Sequence, residues 1–430
     1  MNLKIKAMSN NSAKTFIRHK QITNPAGSDG FEYIMAPCRF FLRLLGAWPD
    51  PLENDSWSST LRILIVTTIM FLFAIVSQTV KLFNCWDNLN AVAEILSNCN
   101  IPTSIATVKI VNIWYHRHVL KDMLSQVIDD WKLPRTEEEL TLMWQNAKVS
   151  RLLSIGCIFM TEATLLAQCM VGLWIPIFYT FQKSQLNSSV EWPLYMTGSF
   201  PYDTQKTPYY EFTIFGQLFS NVLASTSFSS SDSIFFILML HLINQLSILK
   251  LSVTNLPQKI VTIQDRINFM NKFTSFHARH NQLWRFSLAV ENTFNRMFLI
   301  QMVPCIFGLG TQGYQLISNI IQEHTPLVEL VFMIYFLVLF LFTIFTYCYV
   351  AELLRRQSLE ISDAIFACNW RILKSREIKL LAFVMARAQK PFEITVGKFA
   401  NFSLQLYVRI LKTSAGYLSM LLAVKEKIDT

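Results

Sequence analysis

Charge is scarce in this chain of 430 residues. Asp, Glu, Lys and Arg make up 16%, against about 25% in soluble domains, while 52% is hydrophobic. A soluble fold on this scale needs more polar side chains than the chain possesses, so the composition is that of a membrane protein. Glycine and proline are also few, 12 and 14, which excludes collagen-like and Pro/Gly-rich low-complexity chains. With 34 Phe, disorder is excluded as well, because so much apolar surface must be buried in protein or lipid. The eight cysteines form no CxxC pair, and a chain this long does not need a disulfide framework. No HExxH, GxSxG or P-loop occurs and Cys and His do not cluster, so nothing points to an enzyme, a metal or a cofactor. The first twenty residues are basic and polar without the apolar run of a signal peptide, which predicts a cytosolic N-terminus.

Two stretches, 63–80 and 330–350, are uncharged and long enough to cross a bilayer unaided, since about 20 apolar residues span the hydrocarbon. Residues 151–180 form a third, with one internal acid, Glu162, and an aromatic cluster (Trp174, Phe178, Tyr179, Phe181) near Pro176 that suits the interface. Residues 297–322 form a fourth. Residues 212–251 exceed one span and contain the polar run 225–233. Serine and threonine can return their hydroxyls to helix carbonyls, so the reading is one long helix projecting into the cytosol. Two weaker spans complete seven: 91–115, with Glu94 and Lys109, and 399–424, with Arg409 and Lys412. Charges in such segments face protein or water rather than lipid. The fold class that follows is an all-α membrane protein with seven transmembrane helices.

Basic residues decide the orientation. Lys and Arg number six in 117–151, seven in 250–296 and nine in 355–398, and they crowd the first 60 residues; the alternate segments hold only Lys81, Lys183, Lys206, Lys425 and Lys427. Cytoplasmic loops carry the positive charge, which puts the N-terminus in the cytosol and the C-terminus outside. Membrane orientation thereby explains the +9 net charge and leaves nothing that requires nucleic acid. A sequon at Asn187 falls in a predicted outer loop as a glycosylation site, whereas those at Asn10, Asn54 and Asn401 fall in cytosolic or membrane positions. Cys85 and Cys99 flank an outer loop, and a bridge between them stays open.

Four segments result. Residues 1–60 are cytosolic, with an amphipathic aromatic helix at about 31–48, bearing Arg39 and Arg43, that lies in the inner interface or is buried. Residues 61–351 carry spans one to six with inner helix extensions, 352–398 form a cytoplasmic anchor region, and 399–430 hold the last span and a short extracellular tail. Apolar residues at helical spacing in the inner segments (Ile260, Ile263, Ile267, Met270; Leu359, Ile361, Ile365, Phe366) predict a cytoplasmic helical anchor, with Leu359 and Ile365 as its candidate contacts.

Residues 308–313, GLGTQG, match GxGxxG letter for letter. They lie in an apolar span after Pro304, without the preceding strand that a dinucleotide site needs, and are read as close helix packing. Asp232 and His241 are ionisable residues inside the membrane; nine steps of about 100° put them on opposite faces, which excludes one acid–base pair and predicts interhelix hydrogen bonds. Aromatic and thioether stripes recur at helical spacing: Met170 and Trp174; Phe212, Phe215 and Phe219; Val331 and Tyr335. Helix packing and a ligand pocket both use such stripes, and periodicity leaves both open. In the last span, Arg409, Thr413, Gly416 and Met420 fall within about 40° of one face.

The C-terminal residues are more specific. Arg387-Ala388-Gln389-Lys390-Pro391, then Thr395-Val396-Gly397-Lys398-Phe399, then Ile410-Leu411-Lys412-Thr413-Ser414 with Tyr417 resemble, in order and spacing, the C-terminal signature of insect odorant receptors. Asp232, His241 and Gln245 in the fourth span and Glu352 near the inner end of the sixth add to it. Gly416 departs from it, since the family more often has Ser or another larger residue before the tyrosine.

The resemblance implies an odorant-binding subunit of a heteromeric ligand-gated, non-selective cation channel, a heterotetramer with the shared odorant co-receptor. Its place would be the plasma membrane of olfactory sensory neuron dendrites, among membrane lipid. It implies a small volatile apolar ligand between spans two, three, four and six in the outer half of the membrane, where Val92, Ile95, Met170, Trp174, Phe212, Phe215, Phe219, Val331 and Tyr335 would converge. It further implies that the inner segments join the subunits and that the last helix lines the pore for cations, with Met420 at a hydrophobic constriction and Arg409 near the inner vestibule. A gustatory-receptor-type channel and a G-protein-coupled receptor are the alternatives; the latter needs an extracellular N-terminus, which the charge distribution opposes.

Overall fold

The computed structural model describes residues 27–52, 56–96, 100–184, 191–254, 262–321 and 326–429. Asn10, Asn54, Cys99, Asn187 and Ile260 lie outside the described residues, and with them both partners of the Asn187 and Cys85–Cys99 questions except Cys85, a free thiol.

Thirteen helices carry the described chain. The first, α1 (Gly27–Leu45), precedes α2 (Trp57–Met70), which passes through a π turn (Phe71–Val76) into α3 (Ser77–Asn84). Then come α4 (Leu89–Ile95), α5 (Ile101–Tyr115) and α6 (Arg117–Lys132). Helix α7 (Glu137–Cys169) passes through a second π turn (Met170–Trp174) into α8 (Ile175–Ser184). The long helices are α9 (Tyr209–Thr254), α10 (Ile263–Ile321) and α11 (Leu327–Ala367), followed by α12 (Ser375–Ala388) and α13 (Leu404–Asp429). Among the described residues, four rods are long and apolar enough to cross a membrane by length and composition: Trp57–Asn84, Glu137–Phe178, Tyr209–Thr254 and Leu327–Ala367. The other three expected spans fall on α4 with α5, on the second half of α10, and on α13.

Local sequence explains the element ends. Pro134 separates α6 from α7, and Thr136 starts α7 with a capping box: its hydroxyl accepts the Glu139 N–H at 3.2 Å while Glu139 accepts the Thr136 N–H at 3.0 Å. The polar run in α9 behaves as its composition predicts, with Ser230, Ser231 and Ser233 donating to carbonyls four residues back at 2.6, 2.7 and 2.8 Å. Helix α10 joins the fifth span to the preceding inner segment without a break, and α11 likewise runs through residue 351 into the inner region.

Helix α9 is the centre of the bundle, packed on α7, α11, α5, α10 and α1. Of its most apolar window 83% is buried, against 11% for α11. That contrast is what a bilayer demands, because a helix facing lipid must be apolar all round while one inside the protein can carry serine. Helix α1 is seated against the bundle by Met35, Cys38 and Leu42, all fully buried, while Phe40 and Leu44 remain exposed on its other side.

Among the described residues one short hairpin is present. Thr395–Val396 pairs antiparallel with Ala400–Asn401 in a short hairpin, whose turn places Gly397 and Lys398 at φ of 58° and 65°. Positive φ at both central residues is the requirement of a type I′ turn, and a Cβ on Gly397 would come within 2.7 Å of Leu299.

Candidate functional site

A cavity of about 660 Å³ lies between α5, α7, α9 and α11. It follows α9 from Asn221 to Leu240, nineteen residue steps or about 28 Å of helix. Its wall is mostly apolar, with Leu153, Met160, Phe228, Phe236, Phe336 and Phe340 among the lining side chains. Gly156 also lines it, and a Cβ added there would meet nothing within 4 Å. At the Asn221 end, Asn221 donates to Gln168 at 3.1 Å and bonds the Tyr195 hydroxyl. Tyr195 belongs to the segment before α9, which is clamped by reciprocal bonds between Gln217 and the Met196 backbone at 3.2 and 3.0 Å.

Midway along the wall stands a buried ion pair. Lys109 on α5 donates to Asp232 on α9 at 2.5 Å and to the Tyr347 hydroxyl on α11 at 3.0 Å. Tyr347 stacks on Phe236 at 5.2 Å and meets Phe298 edge-on at 5.2 Å; Phe298 in turn meets Phe402 at 4.9 Å. Phe402 closes the hairpin by donating its N–H to Ile394 at 2.9 Å. An aromatic chain therefore connects the cavity wall to the entry of α13.

Asp232 and His241 do form interhelix bonds, with different partners. His241 Nε2 bonds Asp130 on α6 at 2.9 Å, and Arg279 on α10 donates to the same carboxylate at 2.6 Å. Burial would raise the Asp130 carboxyl, but His241 and Arg279 hold it below the usual carboxylate range. Gln245 accepts from Arg279 and Arg135 at 2.9 and 3.2 Å. Glu352 pairs with Arg355 one turn on, at 3.2 Å. Sequence reasoning named Asp232, His241 and Gln245 but not Lys109 as the partner of Asp232; the only signal was a lone lysine in an otherwise apolar span.

The glycines at 308–313 are packing residues. A Cβ on Gly310 would stand 3.2 Å from Tyr417 Cβ, and one on Gly313 would stand 3.2 Å from Leu418. Ser414 donates to the Ile306 carbonyl at 3.3 Å. That face of α13 is therefore held against α10, and the face bearing Arg409, Thr413, Gly416 and Met420 is exposed, with nothing within 4 Å of a Cβ at Gly416.

The nine residues expected to converge on a ligand do not line this cavity. Met170, Trp174, Phe212, Phe215, Phe219 and Val331 are exposed on the outside of the bundle. Ile95 is buried and Val92 half-buried on α4, away from the cavity wall. Tyr335 comes nearest, donating its hydroxyl at 3.3 Å to the carbonyl of Met160, a cavity residue. Of the anchor candidates, Ile365 is buried within the chain itself, Leu359 is half-buried and Phe366 is exposed; Phe383 on α12, which sequence reasoning did not single out, is exposed as well.

A bundle of long apolar helices with a mostly apolar cavity and one uncovered face on its last helix is the architecture of a membrane protein. The chain belongs to the 7tm odorant receptor family, whose model matches residues 91–415. It is 23% identical to Odorant receptor 63a of Drosophila melanogaster over 221 residues, a stretch covering about half of each chain (51%). It is 21% identical to Odorant receptor 82a of the same species over 398 residues, 90% of this chain and 98% of the relative. The fold is similar to that of the insect olfactory receptor OR5 from Machilis hrabei in complex with eugenol, with a TM-score of 0.78 and 15% identity over 93% of this chain and all of that one.

Proposed function

We propose that this chain is the odorant-binding subunit of a heteromeric, ligand-gated, non-selective cation channel, opened by a small volatile apolar molecule held in the cavity between α5, α7, α9 and α11. The cavity carries the reading: it is mostly apolar and of ligand size. The basic segments favour a cytosolic N-terminus and an extracellular C-terminus in the plasma membrane, and family membership favours the dendrite of an olfactory neuron. The uncovered stripe of α13 supports a pore face, because Arg409, Thr413 and Met420 are exposed in the single chain and partner subunits with a water-filled pore would cover them. The partner subunits are the shared odorant co-receptor.

Gly156→Phe tests the cavity. The added ring would fill space that is open beside the glycine. In cells that also express the co-receptor, currents evoked by volatile ligands should disappear while surface levels stay normal. Retained responses would overturn the placement of the ligand.

A further inference from the structure

An apolar pocket does not need an ion pair in its wall. Replacing a buried pair by well-packed apolar side chains is often neutral or stabilising, so packing alone does not account for Lys109 and Asp232. The pair is also asymmetric. Asp232 and Phe228 line the cavity, whereas Lys109 is fully buried behind them, its Nζ 3.4 Å from the centre of the Phe228 ring. A carboxylate offers about four acceptor positions; Lys109 takes one and the Tyr347 hydroxyl another. What faces the cavity is acceptor.

A second observation runs the same way. Thr161, Thr164, Thr343 and Thr346 line the cavity, and each donates its hydroxyl to the carbonyl four residues earlier, at 2.6, 2.8, 2.9 and 2.8 Å. Their protons are committed to their own helices, so they too offer a ligand only lone pairs. The amide of Asn221 is likewise engaged with Gln168 and Tyr195. Ser225 and Tyr349 also line the cavity, and the Ser225 hydroxyl has no partner among the described residues, but it stands two turns from Asp232, and beside the carboxylate the lining offers acceptors.

We infer that the cavity selects neutral apolar molecules bearing a hydroxyl donor, alkanols or alkylphenols, whose O–H donates to Asp232. This rests on the proposed function of the same cavity. Acceptor-only molecules such as ethers, ketones and esters meet the carboxylate with lone pairs and gain no bond from it. Carboxylate anions meet a like charge. Protonated amines meet an acid whose charge Lys109 already balances, and would leave a net positive charge in a low-dielectric site. The hydroxyl group is what remains.

The test compares isomers on the unaltered chain expressed with its co-receptor, so that it does not depend on any variant folding. 1-Octanol and 1-methoxyheptane have the same formula and differ in the donor; 4-propylphenol and 4-ethylanisole form a second, isomeric pair, and octylamine tests the charge argument. The hydroxyl compound of a pair should act at a concentration about tenfold lower or more, and octylamine should be inactive. In the double variant Lys109→Met with Asp232→Leu the two isomers should become equipotent. Equal potency on the unaltered chain, with Gly156→Phe silencing both, overturns the inference and leaves the cavity reading standing. Responses that survive Gly156→Phe overturn the cavity reading itself. Silence across the whole panel also overturns the inference, since a site built for neutral donors of this size should accept one of them.

Discussion

Glu291 on α10 accepts the backbone N–H of Thr395 at 2.8 Å, and the two lie 104 residues apart. The Thr395 hydroxyl bonds the same carboxylate, and Gly397 donates its N–H to the Asn295 carbonyl at 2.9 Å. The hairpin that delivers the chain into α13 is thus fastened to the helix against which α13 packs. This gives physical content to the Thr395–Phe399 motif: threonine supplies two donors, and glycine supplies a positive φ where a side chain would strike Leu299.

Glu291→Ala should therefore cost about 2–3 kcal/mol, because it leaves the Thr395 donors without their charged acceptor. Gly397→Ala should cost about 1–3 kcal/mol through backbone strain and the clash with Leu299. Thermal melting of the purified receptor in detergent is the measurement. Wild-type melting in both variants would show that the hairpin is not a fastening.

Acid should loosen the inner end of the bundle through His280. This side chain is buried between the rings of Phe276 and Phe392. Burial, with Arg387 and His277 nearby, pushes its imidazole down to about 4. The folded state therefore binds fewer protons than the unfolded state between pH 4 and the ordinary histidine value. Stability is complete above about 6.5 and falls as the pH drops toward 4, by about 2 kcal/mol at pH 5. His280→Gln should melt with a smaller difference between pH 7.5 and 5 than the unaltered chain. An unchanged difference would mean that other groups carry the acid sensitivity.

Much of this architecture was legible in the sequence, and the rest was hidden for identifiable reasons. Uncharged length gave away the spans, and the serine run of α9 read as helix because hydroxyls can satisfy themselves on their own carbonyls. The glycines at 308–313 declared themselves as packing residues once the strand required for a nucleotide site was missing. The cavity-lining side chains were not legible. Trp174 and Phe215 keep helical spacing whether they face lipid, protein or ligand, since all three environments accept apolar groups. Phe228 and Phe340, which line the cavity, look no different in sequence. The Lys109–Asp232 pair joins residues 123 apart, and no local pattern links them. The hairpin was missed because its strands are two residues each, too short for any alternation to register.

Assembly should depend on the exposed aromatic residues at the inner end rather than on the buried aliphatic ones. Ile365 is 1% exposed, so Ile365→Asp would bury a charge and lose the chain before assembly could be judged. Phe366 and Phe383 are each 69% exposed and remain open to a partner. Phe366→Asp with Phe383→Asp should lower co-purification with the co-receptor several-fold while the isolated chain melts normally. Full co-purification would place the subunit contacts elsewhere.

The gate offers the sharpest test of the channel reading. Tyr417 and Leu418 hold one side of α13 against Gly310 and Gly313, which leaves Met420 exposed, two and three steps further on. At about 100° per step Met420 lies roughly 160° round the helix from Leu418 and roughly 60° from Tyr417, so it stands beside the packing face rather than on it. If partner helices bring similar apolar side chains to the same level, the ring excludes ions by dewetting. One chain contributes only part of that ring, so Met420→Ser should raise ligand-free current without abolishing ligand control. Met420→Cys should make the current sensitive to an external thiol reagent. Cys38, Cys305 and Cys348 are buried whereas Cys85, Cys157, Cys169 and Cys368 are half-buried, so the effect is read against the unaltered channel, whose current the same reagent should leave unchanged. Channels that reach the surface yet show neither effect would put the pore on a different face of α13, and the exposed stripe would then be a contact between subunits or with lipid.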